Sequence, residues 1–189
     1  MTLRKGFKTE AEQLALEVRD ELGLGPFRRL PLDLLAAHLE IPVITLSQLR
    51  LMAGEVEGLA EAVDLLLGAE ANALSAVTVF ADARRMIVHN DAHAPGRQAS
   101  NLAHELAHGL LLHPPSPVID SRGCRHWNGT IEDEANHLAG ALLIPGKAAR
   151  GMVRRGRSID QIADEFGCSV EMARWRVNMS GAGRLASVR

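Results

Sequence analysis

The segment His104-Glu105-Leu106-Ala107-His108 is where the chain concentrates reactive side chains. Two histidines four apart on an α-helix lie on one face, one turn above the other. Both imidazoles can then reach a single zinc ion, at zinc–nitrogen distances of about 2.0–2.1 Å. Glu105, one position on, is turned about 100° around the helix. That is too far round for an equal ligand in the same row. It is within reach of a water on the metal, where a general base belongs. The chemistry this spacing could perform is metal-assisted hydrolysis.

Two imidazoles alone make an incomplete catalytic zinc site, which usually has three protein ligands and a water. The next acidic cluster is Glu132-Asp133-Glu134, at the start of the following predicted helix. Glu132 and Glu134 lie about 200° apart on a helical wheel, so only one can face the metal. Glu134 shares its side with Leu138 and Ala141, the apolar side expected to pack inward. That favours Glu134 as the third ligand and leaves Glu132 as the alternative.

Positioning these side chains requires helices and a sheet, and the sequence predicts both. Ala99–Leu112 is one helical pattern, with neither Gly nor Pro before Gly109, inside a helix expected from about 97 to 113. Thr130 is a candidate cap for the next helix, which Pro145-Gly146 closes. Ser75–Phe80 and Arg85–Asn90 are apolar, β-branched runs four residues apart, which predicts a β-hairpin. Upstream, Thr9–Glu12 has capping-box form before a first helix. Pro31 opens a second, and Val43–Leu46 reads as a short strand. Residues 47–72 are ambiguous, because Gly54, Gly58 and Gly68 interrupt a helical pattern. The acids Glu55, Glu57, Glu61, Asp64 and Glu70 read there as a solvated face and loop. Ser158–Gln161 is another capping-box form, Gly167 a stop, and Ser169 the cap of a last helix.

The chain has 189 residues, 47% hydrophobic and 23% charged, which fits one globular domain with at most a small appendage. Lys+Arg number 21 against 23 Asp+Glu, a net charge of -2 that argues against a broadly basic nucleic-acid binder. Cys124 and Cys168 are too few for a disulfide framework or a cysteine-rich zinc ribbon. The basic residues of Met1–Lys8 precede no apolar run of signal-peptide type. No uncharged stretch approaches the roughly 18 residues of a membrane span. A cytoplasmic protein without membrane contact is the expectation.

The stretch His104–His113, followed by Glu132-Asp133-Glu134-Ala135-Asn136-His137 and then Leu138–Pro145, resembles the ImmA/IrrE family of zinc-dependent metallopeptidases. Ser75–Val79, Ile87–Asn90 and Arg97–Ala103 extend the similarity, so about 75 residues carry it. The resemblance implies His104 and His108 as zinc ligands, Glu105 as catalytic base, and Glu134 as third ligand. It also implies a substrate class, helix-turn-helix transcriptional repressors of stress or mobile-element regulons. Leu138 stands where the family usually has an aromatic residue, and Gly140 replaces another small one. The expected fold is α+β and zincin-like, with a small β-sheet packed against the active-site helix. Residues 1–145 would form the peptidase core. Residues 146–189 would form a helical hairpin of helix-turn-helix form packed on it.

Other residues near the motif could contribute. His113, His126 and His137 could orient substrate or polarise a carbonyl, though each reads first as a surface or loop histidine, and His126 is the best placed of the three. Cys124 could ligate the metal as a redox stopper, whereas Cys168 reads as core. The chain has no tyrosine, so an oxyanion donor must be a His, an Arg or a main-chain N–H. The basic stretch of Lys147, Arg150, Arg154, Arg155 and Arg157, with Arg174 and Arg176 beyond it, could touch DNA. Packing of this hairpin on the core is the favoured reading. The alternatives to a peptidase are a non-catalytic zinc- or repressor-binding regulator, or a DNA-binding protein using residues 147–179.

Overall fold

Three short strands form the sheet beside the motif. They are β1 (Val43–Thr45), β2 (Ala76–Ala81) and β3 (Arg84–His89), in the order β1-β3-β2. The structure, a computed structural model, describes residues 3–54, 56–81, 84–114 and 129–182. β1 runs parallel to β3, with Val43 opposite Ile87, and β2 runs antiparallel, with Thr78 also opposite Ile87. The expected hairpin is present, its strands displaced by one residue from the predicted runs. Central β3 is covered on both faces, and Ile87 and Val88, which point opposite ways, are both buried.

The ambiguous 47–72 segment covers the Val88 face as α3 (Leu46–Met52) and α4 (Leu59–Leu67). Leu46, Val63 and Val88 make a small separate core there. Thr45 and Gln48 form the capping box that starts α3. Gly58, at φ 75°, turns the chain into α4, a backbone conformation that costs a glycine little.

On the Ile87 face lies α5 (Pro95–Leu110), and α6 (Gly129–Leu143) packs along it. α1 (Phe7–Glu21) covers α6, and α2 (Leu32–His38) covers α5. α1 begins at Gly6, left-handed at φ 88°, so Thr9 falls inside its first turn and caps nothing. The basic stretch after Pro145 is a further helix, α7 (Gly146–Arg154), which buries Ala148, Ala149 and Met152 and turns its cations outward. α8 (Ile159–Phe166) and α9 (Val170–Met179) start at the serines expected, Ser158 and Ser169. Ile162, Phe166, Ala173 and Val177 belong to the same core as Phe7, Leu106 and Leu142.

The C-terminal end of α6 is buried, so its last carbonyls need partners other than water. Two arginines supply them. Arg19 of α1, fully buried, donates from Nε and Nη2 to Leu142 O at 3.0 and 2.8 Å and from Nη2 to Leu143 O at 3.0 Å. Its Nη1 donates to Arg28 O at 2.8 Å. Arg176 of α9, also fully buried, donates from Nε to Ile144 O at 2.8 Å and from Nη2 to Glu12. Glu12 in turn accepts from Gly146 N at 2.9 Å at the start of α7. Arg176 is therefore a structural cap and is not exposed for DNA. Burial pushes the Arg19 guanidinium down to about 10, which still leaves it charged at neutral pH.

Arg19→Met should cost about 3 kcal/mol or more of unfolding free energy, because it strands two buried carbonyls and removes charged hydrogen bonds. Urea denaturation reads this, and a loss below about 1 kcal/mol would show that the cap is dispensable. A second prediction concerns His137 on α6, only 1% exposed and edge-on to Phe7 and Trp175. Burial, and then the nearby Arg176 charge, push its pKa down to about 4. The unfolded chain, with a histidine near 6.5, binds the extra proton between those values. Stability from this residue is thus complete above about pH 6.5 and is lost as pH falls towards 4. Between pH 7 and pH 5, His137→Leu should lose about 2 kcal/mol less stability than the parent chain. Equal losses in paired denaturation curves would rule this out.

Candidate metal centre and active site

α5 is seated before it presents any reactive group. Pro95 in its first turn presets the helical φ. Gln98 Nε2 donates to His93 O at 2.6 Å and to Asp91 O at 3.1 Å, tying down the preceding loop. At Gly96 an added Cβ would lie 2.7 Å from Cys168 O, so only glycine allows α5 to approach the turn before α9. Ser100 Oγ accepts from Ser169 N at 3.0 Å across the same junction. One face of α5 then carries His104 and His108 towards α6.

The two Nε2 atoms of His104 and His108 lie 3.0 Å apart. Glu132, from the first turn of α6, completes the group. Its Oε2 is 3.3 Å from His104 Nε2 and its Oε1 is 3.8 Å from His108 Nε2. These three residues form a group able to hold a metal ion. Tetrahedral ligands about 2.0–2.1 Å from one ion are separated from each other by roughly 3.3 Å, close to what is seen. One turn further along α6, Asn136 Oδ1 faces His104 Nδ1 at 3.0 Å, holding the proton there and leaving Nε2 as the lone-pair nitrogen.

The electrostatics follow from this crowding. Hydrogen bonds to His104 and His108 hold the Glu132 carboxyl far below the usual carboxylate range. Burial disfavours the charged form of His104, but Glu132 and Glu105 outweigh it and raise its pKa. The carboxylates concentrate negative charge around two imidazoles, which is the environment a cation would relieve.

Glu105 lies on the sheet side of α5. Thr78 Oγ1 donates to its Oε2 at 2.5 Å. Sequence reasoning missed this partner. Register could have found it, because Thr78 sits opposite Ile87 and so shares the sheet face that α5 covers.

The structure brings Glu132, not Glu134, to the imidazoles. A helical wheel allows one inward side, but α6 is enclosed on several sides, and 9 of its 15 residues are buried. Glu134 does point inward, 8% exposed, towards the chain start and the turn after α5. Its Oε1 is 3.1 Å from Arg4 Nε, and its Oε2 is 3.7 Å from His113 Nε2. His113 Nδ1 lies 2.9 Å from His108 Nδ1. His137 packs edge-on to Phe7 and Trp175 and is not part of the group, and His126 and Cys124 lie outside the described residues. Cys168 is buried core, its thiol pushed up to about 11 by burial.

The family model Peptidase M78, described as the IrrE N-terminal-like domain, matches residues 62–178. The chain belongs to this family. Comparison with curated proteins and with solved structures gives no match. The matched M78 region takes in the hairpin, both helices of the metal-competent group, and α7 to α9. It is a peptidase-family domain of mixed α+β build. Among the described residues no helix is long and apolar enough to cross a membrane.

Zn2+ titration calorimetry should separate the two acids. Glu132→Ala should weaken binding by more than about 100-fold, beyond the 10–100-fold typical of an outer partner. Glu134→Ala should still bind one ion per chain. The reverse order would assign the ligand to Glu134.

Proposed function

We propose that this M78 chain is a zinc-dependent endopeptidase of zincin-like fold that cuts a helix-turn-helix transcriptional repressor in the cytoplasm. The observation that carries the reading is the convergence of His104 Nε2, His108 Nε2 and the Glu132 carboxylate, with Glu105 beside them on the same helix. The donor set suits zinc: two imidazoles and one carboxylate are three protein ligands, the number a catalytic zinc usually takes alongside a water. The two facing nitrogens, 3.0 Å apart, repel each other unless a cation or proton lies between them. Glu132 is the third ligand in this reading, in place of the expected Glu134.

A zinc ion held there supplies Lewis acidity for a peptide carbonyl and for water. Glu105 acts as general base, accepting the proton of the attacking water and handing it to the leaving amine. The Thr78 hydroxyl donates to Glu105 Oε2 and so aims the carboxylate. Asn136 fixes His104 so that its free nitrogen faces the ion. With no tyrosine in the chain, the oxyanion donor in this reading is a His, an Arg or a main-chain N–H.

Repressor substrates are what the family resemblance implies, and the test uses one. Helix-turn-helix repressors of the same genome, beginning with any in a neighbouring reading frame, are co-expressed with the wild type or with Glu105→Gln. The wild type should yield repressor fragments. Glu105→Gln should keep its zinc and cut at least about 100-fold more slowly. Equal cleavage would remove Glu105 from its role. Release of intact repressor by both proteins would make the chain a non-catalytic regulator.

A further inference from the structure

A line of contacts leaves His108 on the side away from the Glu132 carboxylate. His108 Nδ1 meets His113 Nδ1 at 2.9 Å, His113 Nε2 faces Glu134 Oε2 at 3.7 Å, and Glu134 Oε1 faces Arg4 Nε at 3.1 Å. Arg4 is fixed in turn by Glu10, at 2.5 Å from Nη2 to Oε1. We propose that His113 and Glu134 are positioning residues that set the tautomer of His108, so that its Nε2 presents a lone pair to the metal. This rests on the zinc reading above.

Two Nδ1 atoms at hydrogen-bond distance share one proton, so one ring donates and the other accepts. If His113 donated, His108 would carry its own proton on Nε2, inside the ligand group, 3.0 Å from His104 Nε2. That arrangement blocks metal binding. If His108 donates, its Nε2 is free and His113 must hold its proton on Nε2. The Glu134 carboxylate faces that nitrogen and favours the proton there. His113 is 9% exposed and Glu134 8%, so bulk water has little access to replace either. Asn136 does for His104 what this pair does for His108.

The backbone holds His113 at its post. Leu111 caps α5, and Leu112 follows in the left-handed region at φ 51°. His113 N donates to His108 O at 3.0 Å and Leu112 N to Gly109 O at 3.1 Å, the two bonds of a Schellman turn. Glycine is the usual residue at the Leu112 position. A leucine there, 79% exposed, bears conformational strain with little burial in return. The turn folds the chain back so that His113 lands on the imidazole of His108.

The test combines two readouts on the full chain. Long-range 1H–15N spectra of the metal-free protein report the His108 tautomer, and chelator competition gives the Zn2+ affinity. Wild type should carry the His108 proton on Nδ1. His113→Leu should lose that fixed tautomer and weaken Zn2+ binding 10–100-fold. His113→Asn, whose side-chain oxygen can accept in place of Nδ1, should restore most of the loss. Glu134→Gln, which keeps an oxygen facing His113, should bind more tightly than Glu134→Ala. A purely structural role would make Leu and Asn variants alike and leave the tautomer unmoved, which would overturn the proposal. Wild type that binds no Zn2+ overturns the zinc reading and this proposal together. Normal wild-type binding with an unchanged His113→Leu variant overturns the proposal alone.

Discussion

Everything at the metal-competent group depends on where α6 sits, and α6 is fixed at its buried C-terminal end. Helix ends leave carbonyls without intrahelical partners, and an end enclosed by protein cannot borrow water. Arg19 and Arg176 answer that need from opposite ends of the chain. Burying a guanidinium costs several kcal/mol of solvation, which only full hydrogen bonding offsets. Here the carbonyls of Leu142, Leu143 and Ile144, with Glu12, provide it. The first and last described helices thus hold the far end of the rod whose near end carries Glu132 and Asn136.

The site is shared among three elements, each contributing what its geometry suits. α5 offers two imidazoles one turn apart, a spacing no strand reproduces. α6 crosses them with a carboxylate and, one turn on, the amide that orients His104. The edge strand β2 supplies the hydroxyl that holds Glu105. The seam between the helices suits close approach, because Ala103 and Ala107 beside the histidines and Ala135 and Ala139 beside Asn136 are small and fully buried. The chain's low aromatic content, 3%, is in keeping with this helix packing. Where an aromatic does enter, Trp175 lies over Gly140, and a Cβ there would come within 2.5 Å of the indole.

Much of this was legible in the sequence where one period dominates. The α5 helix, the hairpin, the capping box of α8 and the serine cap of α9 follow from spacing and cap chemistry alone. The choice between Glu132 and Glu134 did not, because a helix enclosed on several sides has no single inward face for a wheel to find. α7 is masked by its charges, Lys147, Arg150 and Arg154 reading as part of a basic stretch until the buried Ala148, Ala149 and Met152 between them are seen. Nothing local marks Arg176 as the cap of another helix, so the sequence offers it only as one of two arginines that could touch DNA. Strand register reveals Thr78, and His113, a nearby candidate in the sequence, is brought onto His108 by the left-handed turn at Leu112.

Zinc K-edge X-ray absorption on the purified protein tests the ligand set most directly. Two imidazole nitrogens and a carboxylate oxygen at about 2.0–2.1 Å are expected, with no sulfur shell. A sulfur at about 2.3 Å, which would bring in a cysteine, or a first shell with fewer than two imidazoles, would contradict the His104, His108 and Glu132 centre.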